Sequence, residues 1–233
     1  MRLSVLTYNI HFGKRLDRII HWLTQFPPRD IICFQEFPQK RISEFMLTEF
    51  GSIFGYRFAT SMRFRKKIYG ELTLYRKKTV KLLSSKIIWL GTNRGERFIM
   101  RSNLERSSLV TRICYNRQII VLANTHLISV ALNKPRYRQA SILLSALERS
   151  RIPTVILGDF NLSSIIGKKK LLLIMKQFGY TTLGKRLVTH RLVGIRHQMD
   201  YIFWKNCSIG TVFIERVKFS DHYPLLFNVR INV

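Results

Sequence analysis

Short apolar runs of strand length alternate along this chain with stretches of helical periodicity. Leu3 to Asn9 is a strand pattern ending in Thr7-Tyr8-Asn9-Ile10-His11, and Gly13 breaks it. Leu16, Ile19, Ile20 and Leu23 then recur at helical spacing until Pro27-Pro28, which predicts a helix. Asp30 to Phe34 reads as a second buried strand, ending in Gln35-Glu36. Ser43 to Phe50 reads as a helix closed by Gly51. Strand, helix, strand in this order implies a parallel pair with a crossover helix.

Shorter, more alternating strands follow. Tyr56 to Thr60, Leu72 to Tyr75, Val80 to Leu83, Ile87 to Leu90, Ser108 to Cys114 and Gln118 to Asn124 are candidates. Gly55, Gly70, Gly91-Thr92-Asn93 and Tyr115-Asn116 mark turns, and the region resembles an antiparallel meander. After Thr125-His126-Leu127, Pro135 opens a helix through Ala146 or Leu147, with Ile142, Leu143 and Leu147 as its apolar face. Pro153 to Leu157 is a buried strand leading into Gly158-Asp159-Phe160-Asn161. Lys168 to Phe178 is a basic amphipathic helix ended by Gly179. Its default reading is a surface helix with one core face, with a membrane-lying helix as the alternative. Strands Met199 to Trp204, Gly210 to Val217 and Leu225 to Ile231 close the chain. No internal repeat, linker or boundary divides it, so one domain over residues 1–233 is expected.

Composition narrows the class. At 233 residues with 46% apolar and 23% charged positions, the profile is that of a globular protein with a real core. Lys and Arg number 40 against 13 acids, a net charge of +27, which favours polyanionic partners. A generally basic proteome or a solubility feature would give the same number. The scarcity of acids makes each one in a sharp motif more informative. The start of the chain runs straight into a strand pattern, with no secretory signal. The longest apolar stretches, such as Leu171 to Met175, are too short to span a bilayer. Cys33, Cys114 and Cys207 are odd in number and far apart, which points to free thiols and a cytoplasmic compartment. A monomer is the expected state.

The candidate chemistry gathers at strand ends. Asp159 and Asn161 lie one residue apart on the same side of an extended backbone, and a carboxylate with an amide suits a hard cation and a water. Asn9, Glu36, His126, Asp221 and His222 also lie beside or near the ends of apolar strands. In a sheet-based fold such ends can converge on one rim. His11 reads as a packing residue or one behind the site, and His21, His190 and His197 as surface histidines. Trp22, Trp89 and Trp204 read as core or rim aromatics, and Tyr137-Arg138-Gln139 as structural. The Arg63 to Lys67 loop and Arg76-Lys77-Lys78 offer a surface on which phosphates could be tracked.

The motifs Thr-Tyr-Asn-Ile-His, Phe-Gln-Glu, Asn-Thr-His-Leu, Gly-Asp-Phe-Asn, Met-Asp-Tyr-Ile-Phe and Ser-Asp-His-Tyr-Pro occur in that order from end to end. In this the chain resembles the endonuclease/exonuclease/phosphatase superfamily, the DNase I-like proteins. The His126-Leu127 pattern places it closer to the DNase I and sphingomyelinase branches than to the AP endonucleases. The resemblance implies an α/β fold, a four-layer sandwich of two packed mixed β-sheets with helices on the outer faces and a site on one rim. It implies that Asn9 and Glu36 orient phosphate and hold Mg²⁺ or Mn²⁺, with Glu36 the best metal ligand. Asp159 would position or deprotonate the attacking water, helped by Asn161, which would also contact phosphate. Asp221 would hold His222, the metal, or both, and His222 would donate to a non-bridging phosphate oxygen. His126 would be a general acid for the leaving oxygen, and Asp200 would orient a site histidine. By approximate register, Glu71 would orient His126 and Arg106 would bind phosphate.

The implied activity is divalent-metal-dependent phosphodiester hydrolysis, first of DNA or RNA because of the charge. A phospholipid or inositol-phosphate phosphodiesterase or phosphatase of the same fold is the alternative within enzymes. A catalytically inactive nucleic-acid-binding module is the alternative outside them, and the intact acids and histidines weigh against it.

Overall fold

Two mixed β-sheets lie face to face in a computed structural model, with helices on their outer faces. The structure describes residues 2–92, 94–100, 105–129, 133–147, 151–184, 187–192 and 195–231. In chain order the elements are β1 (Arg2–Asn9), α1 (Leu16–Thr24), β2 (Ile31–Pro38), α2 (Ile42–Leu47), α3 (Glu49–Ser52), β3 (Phe54–Phe64), β4 (Lys67–Arg76), β5 (Val80–Gly91) and α4 (Arg94–Met100). The chain continues with β6 (Arg106–Tyr115), β7 (Gln118–His126), α5 (Asn133–Leu147), β8 (Thr154–Asp159), α6 (Ile165–Gln177), β9 (Thr181–Thr182), β10 (His190–Leu192) and β11 (Ile195–His197). It ends in β12 (Asp200–Lys205), β13 (Ser208–Ile209), β14 (Phe213–Ile214) and β15 (Leu225–Arg230).

The first sheet runs β13-β15-β1-β2-β4-β3, with β14 also on β15, and the second runs β5-β6-β7-β8-β12-β9. β1 and β2 are parallel, as the strand-helix-strand opening predicts, and so are β7 and β8 across α5. Both faces of the central strands are buried, which is why they read as nearly continuous apolar runs. Between the sheets, Leu3, Val5, Ile31 and Cys33 meet Ile113, Ile120, Leu122, Val155, Leu157 and Ile202. Outside the first sheet, α1 to α3 pack Leu16, Ile19, Trp22, Phe45 and Phe50 against Tyr8, Phe34 and Leu72. Outside the second, α5 and α6 pack Leu143, Leu144, Leu171 and Met175 against Val110, Ala123, Ile156 and Phe203. The four layers of the expected sandwich are therefore present.

Several boundaries differ from expectation, each for a local reason. The expected meander is divided between the sheets, because β4 pairs in the first and β5 in the second. Hairpins alternate apolar and polar positions alike in either sheet, so periodicity cannot assign them. Val80 to Leu83 and Ile87 to Leu90 belong to one strand, β5, whose register slips near Ser84 and Leu90 and blurs its pattern. The helix expected over Ser43 to Phe50 splits at Thr48, which is extended and caps α3 by accepting from Gly51 N. Ser164 likewise caps α6, starting it ahead of Lys168. Gly210 to Val217 is not one strand: β13 and β14 dock separately on β15. Short β9, β10, β11 and α4 carry too little periodicity to be read. Asn93, one of the expected turn residues, lies outside the described residues. Among the described residues no helix is long and apolar enough to cross a membrane.

Candidate active site

The facing surfaces of the sheets change character toward one rim. On β1, Leu3 and Val5 are followed on the same face by Thr7 and Asn9. On β2, Ile31 and Cys33 give way to Gln35. On β7, Ile120 and Leu122 give way to Asn124 and His126, and on β8, Val155 and Leu157 to Asp159. Asp200, at the start of antiparallel β12, pairs directly with Asp159, while His126 pairs with Asp159 across the parallel β7–β8 ladder. Pairing thus brings residues far apart in sequence to one level.

Two local features aim the carboxylates. Gly158 has φ +127°, and a Cβ there would lie 2.0 Å from Thr125 O, so glycine lets β8 press against β7 just before Asp159. Glu36 has φ +59° and sits where the β2–β4 register slips between Phe34 and Phe37. That irregularity turns Glu36 toward Asn9, whose Nδ2 donates to Glu36 Oε1 at 3.2 Å and to Asp159 Oδ2 at 3.0 Å. The Phe12 backbone N–H donates to Glu36 Oε2 at 3.0 Å.

Asp159 Oδ2 is the meeting point. His126 Nε2 and His222 Nε2 each lie 3.6 Å from it, and His126 Nε2 lies 3.8 Å from Glu36 Oε1. Asn161 N donates to Asp159 Oδ1 at 2.8 Å, and its side chain donates to Leu127 O at 2.9 Å. The His222 Nδ1–Asp200 Oδ2 distance is 2.8 Å, so the imidazole is wedged between two cross-strand carboxylates. Ser220 Oγ, donating to Asn9 O at 2.8 Å and accepting from His222 N at 3.1 Å, ties the last motif to the first.

The two histidines differ in charge. Burial, then the Arg106 and His222 charges, hold His126 well below the ordinary imidazole range. Arg106, which can only donate, lies 3.1 Å from His126 Nδ1, so the neutral ring carries its proton on Nε2. That buried Nε2 has no hydrogen-bond partner and faces the two carboxylates. Burial opposes the charge of His222 too, but Asp200 and Asp159 outweigh it and push the group up to about 10. Burial raises Asp159 to about 6 and also raises Glu36.

The residues present suit a divalent cation. Each Glu36 oxygen accepts one bond and keeps a lone pair, and its side chain is 13% exposed against 2% for Asp159. Two groups bring potential ligand atoms within 4.8 Å of one another, His190–Asp221–His222 and Asp159–Asp200–His222. Both include His222, whose Nδ1 is already engaged by Asp200. Glu36 is the better anchor for a hard cation.

Some expected residues stand differently. Arg106 does not reach solvent to meet phosphate: it is buried, ion-paired with Glu96, and bonded toward His126 and Met62. Glu71, expected to orient His126, instead faces Ser107. The Ser107 Oγ lies 3.0 Å from both Thr60 O and Glu71 Oε2. One hydroxyl proton cannot serve both. Burial pushes Glu71 up to about 8, so its protonated carboxyl donates to Ser107, which donates to Thr60. Asp221 does not hold the His222 ring: its carboxylate pairs with His11 Nδ1 at 2.8 Å and lies 3.8 Å from His190 Nε2. Burial would raise Asp221, but His11 and His190 bring it far below the carboxylate range.

His190, expected at the surface, is buried edge-on to His222 at 4.7 Å, while His21 is exposed and His197 half-buried. Trp22 is core, Trp204 half-buried and Trp89 exposed. Gln35 and Asn124 stand in the Phe-Gln-Glu and Asn-Thr-His-Leu motifs but have no role in the sequence reading; they join the sheets behind the site, Gln35 Nε2 donating to Asn124 Oδ1 at 2.7 Å. The available signal was their place at the end of an apolar run, next to a candidate site residue in the same motif. That reading also passed over Arg136, which with Gln139 pins the loop after His126 through Ile128 and Ser129.

The model of the endonuclease/exonuclease/phosphatase family matches residues 6–222. No curated protein matches the sequence. Among solved structures, an endonuclease/exonuclease/phosphatase from Bacteroides vulgatus superposes with TM-score 0.77 at 18% identity, covering 100% of both chains. D. rerio TDP2 complexed with a single-strand DNA product superposes with TM-score 0.75 at 16% identity, over 98% of this chain and 99% of that one. ANGEL2, a 2',3'-cyclic phosphatase, superposes with TM-score 0.76 at 17% identity, over 100% and 96%. At these identities the superpositions establish the fold.

Proposed function

The chain belongs to the endonuclease/exonuclease/phosphatase family and is on that ground a phosphoester hydrolase, and from this premise we propose that it hydrolyses nucleic-acid phosphodiesters with Mg²⁺ or Mn²⁺. One observation carries the reading. Asn9 Nδ2, the neutral donor His126 Nε2 and the charged donor His222 Nε2 converge on Asp159 Oδ2, beside the Glu36 carboxylate.

Asp159 takes the proton of the attacking water, and its value of about 6 leaves it ionised at neutral pH yet basic enough to act. The Asn161 backbone N–H fixes that carboxylate. Water oxygen attacks phosphorus and the bond to the leaving oxygen breaks on the opposite side. His222, charged and held by Asp200, donates to a non-bridging oxygen. His126 donates a hydrogen bond from Nε2 where negative charge grows. A neutral ring with Arg106 on Nδ1 does not surrender that proton cheaply, so this role replaces the general acid expected from the sequence. The leaving oxygen takes its proton from solvent. Glu36, with Asn9 beside it, would hold the cation, which supplies charge neutralisation to the phosphate and leaving oxygens. Asp221 fixes His11 in this arrangement.

The net charge of +27 supports nucleic acid, as do a structural neighbour bound to single-strand DNA product and another that is a 2',3'-cyclic phosphatase. A lipid phosphoester is the second reading, favoured by the exposed Ile165 and Ile166 with Lys169 and Lys170 on α6. One assay separates them: single-stranded DNA, RNA, sphingomyelin vesicles and an inositol polyphosphate are each offered with Mg²⁺ or Mn²⁺, with and without EDTA. EDTA-sensitive cleavage of DNA or RNA is the expected result. Cleavage of lipid or inositol phosphate alone would move the substrate, and EDTA-resistant cleavage would remove the cation.

A further inference from the structure

Beside Glu36 the surface opens into a groove with an aromatic floor and basic walls. Its start is fixed chemically, because the Phe12 N–H that binds Glu36 Oε2 belongs to a groove residue. Phe12 has φ +57°, a left-handed backbone that a bulky side chain rarely adopts, and this places its ring against the β3–β4 hairpin. There it stacks on Phe64 at 5.0 Å between centroids with a 20° tilt, while Tyr69 meets it edge-on at 5.0 Å. The exposed Arg65 guanidinium covers the Phe64 ring at 5.4 Å, a flexible cap that a flat group could displace or extend. Lys40 and Lys67 are exposed along the walls, and Lys14, also exposed, lies against the His11 ring at Nε2 and 6.0 Å from the Phe12 centroid. Arg41 is there too, but Asp17 and Glu44 engage it. No carboxylate is among the described residues that line the groove.

We propose that this groove is the track for a single-stranded segment of nucleic acid leading away from the scissile phosphate. Lys14, Lys40 and Lys67 would follow the backbone phosphates, and a base would stack on the Phe12–Phe64 column at the Arg65 end. Point charges around ring faces suit unstacked bases and phosphates, whereas a lipid surface would call for exposed aliphatic side chains. The proposal rests on the nucleic-acid reading of the catalytic centre and names the path on that same site.

The test is equilibrium binding of a fluorescent single-stranded oligonucleotide in EDTA across a salt series, so that binding is read without turnover. Lys40→Ala with Lys67→Ala, both at exposed positions, should weaken binding severalfold at low salt. The slope of log K against log salt should fall by about 1.4 for the two lost phosphate contacts. Phe64→Ala should weaken binding about fivefold or more with the slope unchanged. Unchanged affinity and slope in the lysine variant would overturn the track, as would groove-dependent binding of phosphatidylserine vesicles in place of the oligonucleotide. Hydrolysis by the unsubstituted protein is scored separately. Groove-dependent binding without hydrolysis of any nucleic acid keeps the track and removes the nuclease reading. Hydrolysis with groove-independent binding does the reverse.

Discussion

The space between the two sheets has an apolar half and a polar half, built from the same strands. In the first, Val5, Ile31, Leu122, Val155 and Leu157 are sealed from water, each stabilising the fold by about 1.5–3 kcal/mol through burial. In the second, two to four residues further toward the rim on the same faces, stand Asn9, Gln35, His126 and Asp159. Burial there penalises charge and pushes both Glu36 and Asp159 upward. Hydrogen bonds replace packing: Asn124 on the second sheet donates to Phe34 O and Leu72 O on the first, and Gln35 donates back. The apolar half thus holds together a polar half that would not assemble alone, and the desolvated carboxylates sit together at the rim.

The contrast can be broken at β8, where both halves meet on one strand. Asp159→Asn should lower kcat by about 10²–10⁴, the worth of a positioned general base. It should leave thermal stability unchanged or higher, because a buried anion is removed. A large drop in Tm with the lost activity would mean that Asp159 supports the fold and that the contrast is wrong. Leu157→Ala, two residues back on the same face, should cost about 2–5 kcal/mol in urea denaturation while the folded enzyme keeps its kcat. Activity lost from a fully folded Leu157→Ala protein would show that the halves are not separable.

Glu71→Gln is the smallest change and sharpens the picture through pH. The folded protein holds the Glu71 proton up to about 8, whereas the unfolded chain releases it near 4.5. Between those values the native state binds more protons, so stability falls as pH rises, by at most about 1.4 kcal/mol per pH unit for this group. The contribution is full below the lower value and lost as pH passes the upper one. Melting temperatures of the two proteins at pH 5, 6.5 and 8 should converge at low pH and favour Glu71→Gln at high pH. Parallel curves would mean that Glu71 is ionised in the fold.

The sequence alone was enough for the fold and for the face on which each strand residue lies. Alternation along a strand assigns each side chain to a face, so Asn9, His126 and Asp159 share the inner face with the apolar residues before them, and the ordered motifs carry the family. Partners and protonation were decided only in the tertiary structure. Arg106 took the place beside His126 expected of Glu71, Glu71 turned to Ser107, His190 went from surface to buried neighbour of His222, and Asp221 turned to His11. Which histidine is charged follows from whether Arg106 or Asp200 stands at its Nδ1. The physical reason is range. Alternation is a local property of the backbone, whereas hydrogen bonds and desolvation depend on ångström distances between segments far apart in the chain, such as Asn9 and Ser220, which are separated by 211 residues.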